Sequence, residues 1–266
     1  MRSSEADVLR TVTATRYVTP LREGGSLPGL VEADDLGMYV LKFHGAGQGR
    51  KALVAEVVVG ELARRLGFRV PELVLVEVDP EMGKAEPDEE VQDLLYRSAG
   101  RNLGLDYLPG SLGFDPLALD PGPDLAARLM WLDALTLNVD RSWRNPNLLV
   151  WHGDVWLIDH GAALYFHHSW GGGPAKAATH GYDASDHVML PFAGEFESVD
   201  RELTALVGPD LLAEVLCLVP DEWLADEPGF ATPDDVRAAY AEYFTARLAA
   251  PRPWVRALEE TRAARV

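Results

Sequence analysis

"LNVDRSWRNPNLLVWHGDVWLIDHGAA", running from Leu137 to Ala163, is the stretch on which the fold turns. Its apolar, β-prone runs "NLLVW" and "VWLID" are joined by His152-Gly153-Asp154, a good short hairpin turn. Pairing the two runs brings the end of the second beside the start of the first. Asp159 then lies near Asn145 or Asn147, and Asp140 projects from the loop that enters the hairpin. A carboxylate and an amide oxygen facing each other can hold magnesium, a hard cation that takes oxygen ligands and keeps several waters. A second carboxylate nearby can orient or deprotonate a hydroxyl group. Asp and Asn also occupy ordinary turns for local hydrogen-bonding reasons, so the upstream sequence decides between a solvated loop and a site.

Upstream, "ATRYVTPL" (Ala14–Leu21), "GMYVLKF" (Gly37–Phe43) and "VPELVLVEVD" (Val70–Asp79) read as strands. "REGGSLPGLVEADD" between the first two carries turn chemistry, and the backbone N–H groups of Gly24, Gly25 and Ser26 could cover phosphates there. A plain hairpin turn is the alternative. In "ALVAEVVVGELARRLGF", Val54, Val58, Leu62 and Leu66 fall at helical spacing, with Gly67 as a stop. Glu56 lies at the edge of that apolar arc, where a carboxylate is costly unless paired. Lys42, on the apolar strand "YVLKF", is the natural partner. Two unrelated surface charges would be worth only ~0–1 kcal/mol to each other.

The acidic stretch Glu77–Asp93 reads as a solvated loop, and Arg101–Ser111 as a connector between lobes. "DLAARLMWLDALTLN" (Asp124–Asn138) is a helix. His167–Phe192 has no period and reads as a long mobile segment. From Asp200 onward the chain is helical, with Pro and Asp at the helix starts. The expected fold class is α+β and bilobal. Residues 1–104 form a β-rich N-terminal lobe with one main helix, and residues 105–266 a mainly α C-terminal lobe.

Gly-rich loop, strand lysine, helix glutamate, connector, Asp-x4-Asn and strand-end Asp is the order of parts of a protein-kinase-like phosphotransferase. "LNVDRSWRN" followed by "LIDHG" resembles the N-x-D-x-H-x-x-N and later Asp motifs of HipA-like kinases. It is also similar to the D-R-H-x-x-N and I-D-F-G motifs of phosphatidylinositol kinases. "YVLKF" and "LVAEVVVGELARRLGFRVPE" resemble the HipA-like strand lysine and the helix after it, so the likeness spans Tyr17 to Gly161. The resemblance implies an ATP- and Mg2+-dependent kinase fold. Asp140 would position the accepting hydroxyl, Lys42 would contact the α- and β-phosphates with Glu56 in support, and Asn145 and Asp159 would be magnesium ligands. Ser142 stands where the family motif carries His. Adenine is expected at the connector near Leu105 to Tyr107. A Ser or Thr of a protein is the acceptor the likeness implies. A lipid or small-molecule hydroxyl, or a nucleotide-binding pseudokinase acting as an interaction module, are the alternatives.

Bulk properties narrow the setting. The formal net charge is −18, which disfavours coating nucleic acid or a broad polybasic membrane surface. Cys217 is the one cysteine, so the chain has no internal disulfide, and a reducing, cytoplasmic location is expected. No apolar run approaches the ~20 residues of a membrane-spanning helix. "GAGQGRKA" has the wrong spacing for a Walker A loop, and no Ser or Thr follows Lys51. His152-Gly153-Asp154 lacks the following Asn of an aminoglycoside phosphotransferase motif. His160, His167, His168, His180 and His187 fall in no helical metal-ligand pattern.

Overall fold

Two-residue alternation in the first strands builds a barrel. β1 (Thr11–Pro20), β2 (Gly29–Ala33), β3 (Met38–Lys42), β4 (Leu73–Val78) and β5 (Gly100–Asp106) close a ring in the order β1-β2-β3-β5-β4 in the computed structural model. The structure describes residues 8–21, 27–47 and 49–265, so Gly24, Gly25 and Ser26 lie outside the described residues. Neighbouring strands are antiparallel except β1 and β4, whose parallel pairing seals the ring. Val12, Val31, Tyr39, Leu41, Val74 and Val76 pack together on one face. Successive strand residues point oppositely, so Leu73, Leu75, Leu103 and Leu105 face the other way and pack with α1 (Gly49–Arg65). Both faces of β4 are therefore covered, which is why it reads as an unbroken apolar run.

The acidic stretch expected as a loop is instead a 3-10 turn at Pro80–Ala85 and a second helix, α2 (Glu89–Arg97). Asp88 caps α2 by accepting from the Glu90 N–H at 3.0 Å, and Val91, Leu94 and Leu95 are buried. Their spacing is helical, but the acids between them dominate the composition. The expected connector is corrected too. Asn102 to Leu105 are buried strand, and the chain leaves the barrel only after Asp106. Gly104 signals packing rather than a turn: a Cβ there would stand 2.6 Å from Val76 Cγ2 and 2.9 Å from Val74 Cγ2.

The C-terminal part begins with β6 (Leu112–Gly113) and α3 (Pro123–Thr136), followed by the hairpin β7 (Leu148–Trp151) and β8 (Asp154–Leu157). The hairpin pairs Leu148 with Leu157 through to Trp151 with Asp154. His152 and Gly153 both have positive φ, 52° and 85°, the geometry a two-residue primed turn demands. Short α4 (Pro174–Ala177) precedes α5 (Phe196–Leu206), α6 (Pro209–Cys217), α7 (Asp221–Leu224), α8 (Pro233–Leu248) and α9 (Pro253–Ala264). α3 is buried along most of its length, with Trp131 fully enclosed.

The segment read as mobile is packed down. Ala177, Ala178, Ala184, Val188 and Met189 are buried, and Arg247 of α8 donates to the carbonyls of Ala178 and His180. Its anchors are backbone carbonyls and scattered small residues, which leave no periodic trace in a sequence.

The two lobes share one continuous apolar cluster and several polar ties. Lys51 of α1 donates to the His167 carbonyl at 2.6 Å and to Glu227 at 2.7 Å. Arg50 donates to the Glu222 carbonyl at 2.9 Å, and Trp223 Nε1 to the Arg101 carbonyl at 3.3 Å.

Candidate active site

Lys42 ends β3 opposite Leu103 of β5, and the strand period turns it to the α1 side. There its ammonium contacts Glu56 Oε1 and donates to Asp159 Oδ1 at 2.7 Å. Glu56 is 1% exposed, so the edge position expected from the helical pattern is in fact fully enclosed. Burial pushes Lys42 down, but the Glu56 and Asp159 charges outweigh it and hold the ammonium above its ordinary value. Burial pushes the Glu56 carboxyl up against the pull of Lys42, with the Asp159 charge adding to the rise. The Asp159 carboxyl is also raised by burial. The charge and hydrogen bond of Lys42 overcome that and bring it down to about 2. Asp159 is thus ionised at neutral pH. Gly161 follows for a steric reason: a Cβ there would lie 3.3 Å from Glu56 Oε1.

The hairpin performs the return expected of it. The Ile158 N–H donates to the Asn147 carbonyl at 3.2 Å, which sets Asn147 beside the residue preceding Asp159. Both Asn147 and Asp159 are left-handed, with φ of 50° and 55°. Asn and Asp tolerate that region better than most residues, and strained backbone of this kind clusters at functional sites.

Asp140 is half-buried, with two amides turned to it. Asn145 Nδ2 donates to its Oδ2 at 3.0 Å, and Asn147 Nδ2 to its backbone oxygen at 2.6 Å and its Oδ2 at 3.3 Å. Among the described residues its Oδ1 accepts no hydrogen bond. Asn145 is exposed and Asn147 is 8% exposed. Each amide spends its N–H on Asp140 and keeps its oxygen for another donor or a cation. Tyr107 takes a different part: its N–H donates to the Met38 carbonyl at 2.9 Å, fixing the exit from β5, while Leu105 is buried against α1.

Four residues beside the loop escaped the sequence reading. Asp133 of α3, Arg141, His160 and His187 are all buried. Arg141 Nε donates to Asp133 Oδ2 at 2.6 Å, and His187 Nε2 to the same oxygen at 2.9 Å. Arg141 also donates to the Asn147 carbonyl at 2.6 Å and to His160 Nδ1 at 3.4 Å. Burial and the Arg141 charge bring the His160 ring down to about 3, so it is neutral. Asp133 had a signal, a carboxylate amid "LMWLDALTL", and so did Arg141 beside Asp140. His187 had none.

A strand lysine held by a helix glutamate and bonded to the aspartate that follows the hairpin fits a bilobal kinase-like architecture. Solved structures agree on the fold. The proinflammatory kinase CtkA of Helicobacter pylori superposes with a TM-score of 0.53 at 11% identity, over 98% of this chain and 100% of that one. A Golgi casein kinase gives 0.50 at 14% identity, over 96% of this chain and 74% of its own. The family model described as HipA-like kinase matches residues 15–256, and the chain belongs to that family. No curated protein sequence matches it at a significant level. Family membership supports a kinase-type phosphotransferase.

Proposed function

We propose that the protein transfers the γ-phosphoryl group of ATP to a Ser or Thr hydroxyl of a protein, with magnesium as the metal. The observation that carries this reading is the Lys42 ammonium lodged between Glu56 and Asp159, which joins β3, α1 and the hairpin at one point. In this reading the chain through Asp106 forms the ATP-binding lobe and the rest the catalytic lobe, because β5 carries the expected boundary at 104/105 to its own end. Leu105 to Tyr107 take the adenine, and Gly24, Gly25 and Ser26 cover the phosphates.

The residues present suit a hard cation. Asp159 is ionised, and among the described residues the Asn145 and Asn147 amide oxygens accept no hydrogen bond and are left for a cation. Asp159 with Asn145 is the pair that the HipA-like resemblance implies. Asn147 competes with Asn145 because its backbone is hydrogen-bonded to the strand that delivers Asp159. A bound magnesium ion would supply charge neutralisation for the transferring group. Lys42 holds the α- and β-phosphates, and Glu56 keeps its ammonium aimed. Asp140 uses its uncommitted Oδ1 to orient the acceptor hydroxyl and take its proton, while Asn145 and Asn147 fix the other oxygen. Among the described residues no helix is long and apolar enough to cross a membrane. The single, exposed Cys217 suits a reducing cytoplasm.

The test is transfer from γ-labelled ATP with magnesium, to the protein itself and to a protein lysate. Wild type is expected to label and Asp140→Ala to lose about 100-fold or more of the rate, as removing a positioned acid–base group does. If neither protein labels while ATP still raises the melting temperature, the chain is a nucleotide-binding module instead. Parallel Asn145→Ala and Asn147→Ala variants identify the metal ligand as the one whose Mg2+ requirement rises.

A further inference from the structure

Three side chains that brace the Asp140 loop, Arg141, Asn138 and His187, converge on one buried carboxylate, Asp133 of α3. Its Oδ2 accepts from Arg141 and His187, and its Oδ1 from Asn138 Nδ2 at 3.0 Å. Asn138 in turn takes the Asp140 N–H on its amide oxygen at 3.2 Å. Arg141 Nη1 donates to the carbonyls of Asn147 at 2.6 Å and Pro146 at 3.3 Å, which fixes the far end of the loop. One guanidinium and one carboxylate therefore back the direct hydrogen bonds by which Asn147 Nδ2 holds Asp140.

His187 enters this cluster from outside. It belongs to the turn-rich segment after α4, and an isolated β-bridge seats its backbone opposite Ser142. The Met189 N–H donates to His187 Nδ1 at 3.1 Å, so the ring proton is on Nε2 and points at Asp133. The same segment touches the loop three times more, once where Trp143 Nε1 donates to Asp186 Oδ1 at 3.1 Å. The Val188 N–H donates to the Arg141 carbonyl at 3.2 Å, and the Tyr182 hydroxyl to the Asn138 carbonyl at 2.9 Å. The imidazole bonded to Asp133 thus arrives across the bridge from Ser142.

We propose that His187 is a positioning residue for phosphoryl transfer. Through Asp133 and Arg141 it holds Asp140 and Asn147 in register, so the segment around residues 182–188 governs turnover at atoms it does not touch. The inference rests on the phosphotransferase reading above. Removing the ring leaves Asp133 with Arg141 and Asn138 alone, free to draw the guanidinium and its two carbonyls toward the vacated space. A displacement of about 1 Å at a reacting centre costs on the order of 100-fold in rate. Nucleotide affinity should be spared, because Lys42, Glu56 and the Leu105–Tyr107 exit lie outside this network.

The experiment compares wild type, His187→Ala, His187→Gln and Tyr182→Phe. It measures turnover of γ-labelled ATP, affinity for a non-hydrolysable ATP analogue, Mn2+ affinity in the presence of that analogue, and melting temperature. His187→Ala is expected to lose about 30- to 100-fold in turnover and about 5-fold or more in Mn2+ affinity, with analogue affinity within about 2-fold of wild type. His187→Gln, whose amide N–H can reach the same carboxylate, should recover to within about 5-fold of wild type, and Tyr182→Phe should lose about 3- to 10-fold. Turnover and Mn2+ affinity of the Ala variant within about 2-fold of wild type would overturn the proposal, as would a Gln variant no better than Ala. If the Ala variant does not fold, Tyr182→Phe decides, and an unchanged rate overturns it. If wild type binds the analogue without turning over, the Mn2+ arm decides. If wild type binds neither analogue nor metal, the phosphotransferase reading itself fails, a result distinct from any difference among the variants.

Discussion

Lys42 serves two carboxylates with a single ammonium, and only one of them is enclosed. Glu56 is 1% exposed, and among the described residues its Oε2 is buried without a hydrogen-bond partner. Asp159 is partly open to solvent. Lys42→Met is therefore expected to destabilise the fold by about 3 kcal/mol, the cost of leaving a buried charge unpaired. The double variant Lys42→Met/Glu56→Gln should regain at least half of that in urea unfolding, while transfer stays abolished. A single variant as stable as wild type would show that water reaches Glu56 in solution. This pair was legible in the sequence because a carboxylate amid valines and a lysine amid apolar strand residues each demand a partner. Asp133 made the same demand from within α3, but its partner Arg141 lies across the end of the helix, where no simple periodicity connects the two. His187 was illegible because contacts made through an isolated bridge follow no pattern along the chain.

At the scale of elements, the barrel depends on a strand position that has no side chain. Gly104 faces Val74 and Val76 at distances that leave no room for a methyl group. Gly104→Ala is expected to cost about 1–3 kcal/mol, with strand content retained by circular dichroism, because neighbours on a closed ring cannot move apart freely. α8 offers a contrasting case far from the site. Thr232 and Asp235 form a reciprocal capping box at its start. Thr232→Ala should cost ~1 kcal/mol in unfolding experiments and leave phosphoryl transfer at the wild-type rate. The hairpin β7–β8 could be read directly, since its turn residues and alternating apolar runs agree. α2 and β5 were misread because charge in one case, and glycine in the other, outweighed a correct but shorter apolar pattern.

For the whole molecule, acid should be destabilising well before the carboxylates titrate. His160 and His167 are buried and neutral, with His160 held down to about 3 and His167 well below its ordinary value, in each case chiefly by burial. A depressed histidine leaves the unfolded chain free to take a proton near pH 6.5 while the folded chain cannot. Stability is thus complete above about 6.5 and falls as pH drops toward the folded value. Between pH 6.5 and 5 the His160 ring should remove about 2 kcal/mol, measured by urea unfolding at the two pH values, and His167 acts in the same direction. His167→Phe should make that slope shallower, whatever it does to stability at pH 7.5. Asp159, brought down to about 2, acts only in stronger acid, losing its contribution as pH falls from about 4 toward 2.

The parallel pairing of β1 with β4 has one more consequence, for association. A ring of strands presents no row of unpaired backbone N–H and C=O groups, so another chain cannot add itself as a further strand there. The three-stranded sheet of β6, β7 and β8 is open, and the exposed Leu112 lies on its outer strand. Strand-to-strand association, whether with a bound peptide or in aggregation, is therefore directed to the C-terminal lobe and away from the closed barrel.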